Sequence, residues 1–347
     1  MNTNFIDAQI DAISIHWIGN KVGDEGLIIS KGNITIQNEL SNLMTHYFVS
    51  GFKQQEFYQL FHDTDLKYNE VFGFISDIFN RPDNVHEQSV SLAKHLYEQS
   101  THPKIKGGEF YVVYFKNCII DGKTVDAVGL FKSENKDTFL KVYPSGDGFE
   151  IKSQQGVNIN KLDKGALIFN TDKESGYIVA VVDNTNKGTE AHYWIDDFLH
   201  VRQRKDEYYN TQNVMALAKN FVVKELPKAF EGVSKADQAE LLNKTTQFFK
   251  EKDTFDMEEF TNEVIAQPEV IDSFNQYKDS YAKERDIEFS DSFSISDTAV
   301  KKQARAFKSV IKLDKNFHIY IHGDRQLIEQ GEDDKGKFYK VYYKEEQ

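Results

Sequence analysis

Residues 192–225 read HYWIDDFLHVRQRKDEYYNTQNVMALAKNFVVKE, and the texture of the chain changes within them. Upstream, alternating apolar runs are mixed with helical spacing. Downstream, as far as residue 282, apolar residues recur only at helical intervals. The stretch opens on an aromatic and acidic segment, YWIDDFL, then carries a tight basic cluster, Arg202, Arg204 and Lys205, with Tyr208 and Tyr209 close behind. It ends in an apolar stripe, Val214, Leu217, Ala218, Phe221 and Val222, which makes one face of a helix. Thr211 is placed to cap that helix and Pro227 to end it. The stretch is therefore expected to be a junction that closes a sheet-containing region and opens a helical one.

Toward the N-terminus, residues 109–120, 124–131 and 138–143 are rich in β-branched and aromatic side chains, with Asp121-Gly122 as a tight-turn signal. Residues 165–170 and 176–183 suggest another hairpin across Lys173, Glu174 and Ser175. These strands predict one antiparallel sheet. Residues 10–18 alternate, with Ile13, Ile15 and Trp17 on one face, and a short strand follows at 27–30. Ile36, Leu40, Leu43, Met44, Tyr47 and Phe48 recur at helical spacing. Two more helices are expected at 69–80 and 84–100, the second with Asn84 and Glu87 spaced as a capping box. The three helices are expected to cover the sheet.

Toward the C-terminus, Ser234 with Asp237 opens a helix, and residues 256–266 and 268–282 supply two more, Pro268 lying in a first turn. Residues 287–295 are extended, 297–308 form a short basic helix, and 317–322, 327–330 and 337–343 close the chain as strands. The expected fold class is α+β: an N-terminal, mainly antiparallel sheet with flanking helices, then a helical region and a small C-terminal β unit. The corresponding domains are 1–190, 191–285 and 286–347.

The 347 residues are ample for a sizeable core. The longest apolar runs are too short to cross a bilayer, and the N-terminus shows no basic region followed by an apolar core. Cys118 is the sole cysteine, which fits a reducing compartment and a cytoplasmic location. The formal net charge of −13 argues against indiscriminate coating of nucleic acid. Charge is uneven, however: residues 224–299 hold 9 basic and 18 acidic side chains, and residues 300–347 hold 11 and 8. Local basic patches therefore remain available.

No catalytic signature is present: no phosphate-binding lysine loop, no dinucleotide fingerprint, no nucleophile elbow and no paired-histidine zinc motif. No cofactor is expected. Cys118, in mid-strand, reads as a small hydrophobe. His318 and His322 share a strand face but lack further ligands. Asp63, Asp65 and Glu70 could hold a divalent cation, although a turn followed by a helix cap accounts for the same residues. Two features suit phosphate contact. The cluster Arg202, Arg204, Lys205 offers cations beside Tyr208 and Tyr209, against the plainer reading of a solvated loop paired with Asp196, Asp197, Asp206 and Glu207. The basic helix carries Lys301, Lys302, Arg305 and Lys308, with Asp297 its only acid.

Several segments resemble the bacterial nucleoid-associated protein NdpA family: LKYNEVF (66–72), KGGEF (106–110), DAVGLFKSE (126–134), LDKGALIFN (162–170), YWIDDFLHV (193–201) and FSDSFSI (289–295), together with Thr211 and its helix and the strands at 317–325 and 337–343. Their order runs through nearly the whole chain. The resemblance implies residence on the cytoplasmic nucleoid, association with double-stranded DNA, and no established enzymatic activity; it transfers no catalytic residues. The expected protein is a non-enzymatic DNA-binding homodimer without membrane attachment, contacting phosphates through Arg202, Arg204, Lys205, Lys301, Lys302, Arg305 and Lys308, with Tyr208 and Tyr209 assisting. Two alternatives stand beside it. One is a scaffold subunit of a DNA-processing or defence assembly that holds a protein partner through the acidic region 224–299. The other is a metal-dependent nuclease built on Asp63, Asp65 and Glu70.

Overall fold

The structure is a computed structural model that describes residues 1–52, 56–185, 192–307, 310–313, 316–321 and 325–345, without the side chains of Asn38, His192 and Arg325. The chain divides into two compact units, Met1–Arg204 and Lys205–Gln347.

In chain order the first unit holds β1 (Thr3–Asn4), β2 (Gln9–Ile18), β3 (Leu27–Ile28), α1 (Asn38–Val49), β4 (Phe57–Leu60), α2 (Glu70–Asn80), α3 (Val85–Gln99), β5 (Gly108–Ile120), β6 (Lys123–Ser133), β7 (Asp137–Ser145), β8 (Gly148–Gly156), β9 (Lys164–Phe169), β10 (Ile178–Asp183) and β11 (Val201–Gln203). Nine of these strands form one sheet in the order β11-β4-β10-β9-β6-β5-β2-β3, with β1 also on β5. Every pairing in it is antiparallel. Alternation along the strands sends side chains to opposite faces, and here both faces are buried. Phe110, Val112 and Tyr114 pack with Val71, Ile75, Leu92 and Leu96 of α2 and α3. Tyr111, Val113 and Phe115 pack with Tyr47 and Phe48 of α1, where Phe48 stacks on Phe131 at 4.3 Å between ring centroids.

Three local readings change. The apolar alternation of residues 138–143 does not join the main sheet; β7 pairs only with β8, in a separate hairpin. Helix α3 has no side-chain cap from Asn84, because a 3₁₀ turn over Pro82–Asn84 runs directly into it. Strands β4 and β11, not expected from the sequence, extend the sheet beyond β10. Gly176 makes this extension fit: its φ is +94°, and a Cβ there would lie 2.0 Å from the Leu60 carbonyl oxygen. Asn69 then ties the edge to α2, its amide Nδ2 lying 2.9, 3.1 and 3.0 Å from the carbonyls of Phe61, Leu199 and His200. Its Oδ1 accepts from the Phe72 amide and caps that helix.

The second unit contains α4 (Glu207–Asn220), α5 (Leu226–Ala229), α6 (Lys235–Glu251), β12 (Thr254–Asp256), α7 (Met257–Phe260), α8 (Pro268–Arg285), β13 (Ser292–Ser294), α9 (Asp297–Ala304), β14 (Val310–Leu313), β15 (Phe317–Tyr320), β16 (Ile328–Asp333) and β17 (Gly336–Val341). Its core is rich in phenylalanine: Phe221, Phe248, Phe249, Phe255, Phe260, Phe274 and Phe293 are all buried. Ser234 and Asp237 make the expected capping box, and Pro268 opens α8. Thr211 does not cap α4. The Asp206 carboxylate does, accepting from the Tyr209 amide at 3.0 Å, while Thr211 is buried and accepts from the Ser296 amide at 3.0 Å. Two small hairpins, β14–β15 and β16–β17, complete the chain. The fold is thus α+β, in the expected order of sheet, helices and small β unit. Among the described residues, no helix is long and apolar enough to cross a membrane.

Candidate functional site

The junction cluster separates into residues of different character. Arg202 lies on the edge strand β11 and is exposed, its guanidinium 3.9 Å above the Phe61 ring centroid. Arg204 is largely buried; it pairs with Asp172 and approaches the Tyr177 carbonyl, so it pins β11 to the turn before β10. Lys205 begins the second unit and donates to Glu288 at 2.8 Å, which lowers the pKa of that carboxyl. Tyr208 is 5% exposed, so its ring presents no stacking face to a base. Its ring instead faces the Lys302 amine at 5.5 Å. Tyr209 is half-buried.

On α9, capped by Ser296, the side chains of Lys301 and Lys302 and of the following Arg305 are exposed. Asp297 in the first turn and lysines in the last also complement the helix dipole, which is enough to explain them structurally. Among the described residues Lys301 and Arg305 make no ion pair. Lys308 and His322 lie outside the described residues.

Two of the carboxylates behind the nuclease alternative, Asp65 and Glu70, serve local structure. Asp65 accepts from the Lys67 amide and pairs with its amine, two contacts that lower its pKa. Glu70 sits in the first turn of α2. No group of three or more His, Cys, Asp and Glu among the described residues is placed to hold a metal ion. Cys118 is buried, and burial pushes its thiol up to about 12, far from the reactive range.

A feature not anticipated from the sequence lies within the sheet unit. Lys132 on β6 and Lys164 on β9 sit directly opposite one another, and both are fully buried. Like charges across a ladder repel, so the site depends on its counter-charges. Lys164 donates to both oxygens of Asp183 at 2.8 Å. Lys132 pairs with Glu134 at 3.2 Å and donates to the Lys106 carbonyl at 2.9 Å and the Tyr193 hydroxyl at 3.1 Å. Both amines lie over the Tyr193 ring, Lys132 at 5.4 Å and Lys164 at 5.0 Å from its centroid, and the Tyr193 hydroxyl donates to Glu134 at 2.5 Å. Burial lowers the Lys132 pKa against the pull of Glu134, and burial together with Glu134 raises that of Tyr193 well above 10. Lysines at inward positions of apolar strands, in LFKSE and LDKGALIF, were the signal in the sequence. Four of the segments carrying the family resemblance meet here, through Lys106, through Lys132 and Glu134, through Lys164, and through Tyr193.

Beside this cluster opens a cleft of about 990 Å³. Its wall includes Lys104, Lys106, Lys136 and Lys161, together with Glu134, Asp137 and Asp163. Lys136 pairs with Glu109 and Lys161 with Asp137. Asp163 accepts from the amides of Glu134 and Asn135, both at 2.7 Å. The charges are nearly balanced, so the cleft has little long-range pull on an anion.

Residues 14–338 match a family model of nucleoid-associated proteins. That family is described as nucleoid-associated protein YejK, and with nearly the whole chain matched the protein belongs to it. No curated protein matches the chain. The resemblance read along the sequence and the family match therefore agree.

Proposed function

We propose that the protein is a non-enzymatic, DNA-binding component of the cytoplasmic nucleoid, acting as a homodimer with low sequence specificity. The observation that carries this reading is the family match over residues 14–338. The groups best suited to duplex phosphates are the exposed cations Arg202, Lys301, Lys302 and Arg305, with Lys205 close to its counter-ion Glu288. Arg204 and Tyr208 hold the fold and leave the contact set. A chain of net charge −13 is repelled by DNA as a whole, so a few local cations favour a contact that is short-ranged and steeply salt-dependent. Two copies joined together double the number of phosphate contacts without any new site.

Titration of duplex DNA at several salt concentrations tests the reading. Each phosphate contact contributes about 0.9 to the slope of log affinity against log salt. Reversing Arg202, Lys301, Lys302 and Arg305 to Glu is expected to flatten that slope by about 3.6 for each chain, about 7 for a dimer, and to weaken binding at every salt concentration. An unchanged slope and affinity would remove these residues from the interface, and no binding by the wild type at low salt would remove the DNA reading.

A further inference from the structure

The hairpin β7–β8 stands apart from the main sheet with both faces largely exposed, and one of them is apolar. The register places Val142 opposite Ile151, Pro144 opposite Phe149 and Leu140 opposite Ser153, so these side chains share a face. On it Leu140 is 69% exposed, Val142 58%, Phe149 76% and Ile151 64%. The other face carries the charges, Lys141, Lys152 and Glu150, with Lys152 lying 5.2 Å from the Tyr143 ring centroid. Concentrations of exposed apolar side chains on this scale mark interaction sites on soluble proteins.

We propose that this face is where a second copy of the chain docks, the two hairpins packing Val142, Ile151, Leu140 and Phe149 against their counterparts about a two-fold axis. This extends the homodimer part of the function proposed above, and it is read out by mass, so its failure and that of the DNA reading are distinguishable. Three observations favour a second copy. The face carries no charged side chain, so two chains of net charge −13 can meet there without burying a charge. The whole hairpin, with two lysines and three acids, is close to neutral. The apolar stripe is shared by both strands, which makes the face complementary to itself, as an isologous contact requires.

The area is also sufficient. The four side chains leave on the order of 400 Å² of apolar surface uncovered. Two copies would bury about 800 Å². With roughly two-thirds of a homodimer interface apolar, this implies a total of about 1,200 Å², the lower end of the stable range. Nucleic acid is the poorer occupant, since the face offers no cation to a phosphate.

Sedimentation velocity of the full chain over a wide concentration range tests the proposal. The wild type is expected at twice the 40.1 kDa chain mass. The double variant Val142→Lys/Ile151→Lys changes only exposed positions. It is expected to sediment as a monomer, with dissociation strengthened by about a hundredfold or more and an unchanged circular dichroism spectrum. Lys141→Glu/Lys152→Glu, on the opposite face, should keep the dimer. A monomeric wild type, or a lysine variant that dimerises like the wild type, overturns the proposal. So does a monomeric wild type whose hairpin variant loses DNA affinity, which would make the hairpin a nucleic-acid arm.

Discussion

Replacing Glu134 with Gln should be among the most damaging changes that leave side-chain size intact. The substitution keeps a hydrogen-bond acceptor for Tyr193 but removes the negative charge 3.2 Å from the Lys132 amine. That amine is fully buried, and the next cation, Lys164, lies directly across the ladder. Removing one member of a buried pair costs about 3–5 kcal/mol, because the remaining charge stays desolvated and uncompensated. The Lys106 carbonyl and the Tyr193 hydroxyl still accept from Lys132, which favours the lower end, about 3 kcal/mol. A domain stability of about 5–15 kcal/mol makes that a large fraction. The double variant Lys132→Met/Glu134→Gln removes both charges and should recover most of the loss, to within about 1 kcal/mol of wild type. Urea titration at neutral pH, followed by tryptophan fluorescence, measures the effect. Both tryptophans, Trp17 and Trp194, lie in the first unit, and Trp194 is adjacent to Tyr193, so the signal reports on the unit concerned. A loss below about 0.5 kcal/mol for the single variant, the level of an ordinary surface change, would refute the claim that the pair is electrostatically essential. So would strictly additive losses in the double variant.

Other expectations follow from neighbouring features. His16 is buried against Ser89, and burial, with His86 nearby, lowers its pKa from 6.5 to about 4. Between those values the unfolded chain binds the proton that the folded chain refuses, so this contribution to stability is whole above pH 6.5 and is lost as the pH falls toward 4. After allowance for solvent screening it amounts to on the order of 2 kcal/mol. His16→Asn should flatten the pH dependence of the urea midpoint over this interval; parallel curves for the two proteins would exclude the mechanism. The two arginines of β11 and its exit should separate cleanly. Arg204→Ala is expected to cost about 1–3 kcal/mol through the lost Asp172 pair and to leave the salt slope of DNA binding alone. Arg202→Ala should cost no more than about 1 kcal/mol, the value of its contact with Phe61, and reduce that slope by about 0.9 for each chain. Urea midpoints and DNA titrations on the same preparations would expose a reversal of these roles.

The parts of the fold that were legible in the sequence are those governed by local chemistry. The alternation at residues 109–131 and 165–183, the capping box at Ser234 and Asp237, and the opening proline of α8 each encode their own geometry. What was not legible depends on partners distant in sequence. Phe57–Leu60 is only four residues long and becomes strand β4 because β10 and β11 pair on its two sides. The alternation of residues 138–143 is that of a core strand, and nothing local distinguishes a face buried under a helix from one left open. Thr211 sits at a reasonable capping position, but Asp206, five residues earlier, takes the role and lengthens the helix backwards. Tyr208 shows the same limit for the site: an aromatic beside a basic cluster suits a stacking contact, yet its position on the inward face of α4 buries it.

The buried lysines bear on what a family resemblance can reveal. KGGEF, DAVGLFKSE, LDKGALIFN and YWIDDFLHV converge on Lys132, Glu134, Lys164 and Tyr193, side chains sealed inside the sheet unit. Charge in a core is costly unless its partners are fixed in place, so such a cluster constrains four separate segments at once and leaves a distinctive trace in the sequence. An exposed cation imposes no comparable demand: Lys301 or Arg305 can meet a phosphate from many backbone positions, and a phosphate accepts either arginine or lysine. Four of the segments that carry the resemblance are therefore ones that build the scaffold of the sheet unit. The phosphate contacts proposed above would fall among exposed residues that carry little pattern, so α9 and Arg202 are picked out by exposure and charge and not by motif.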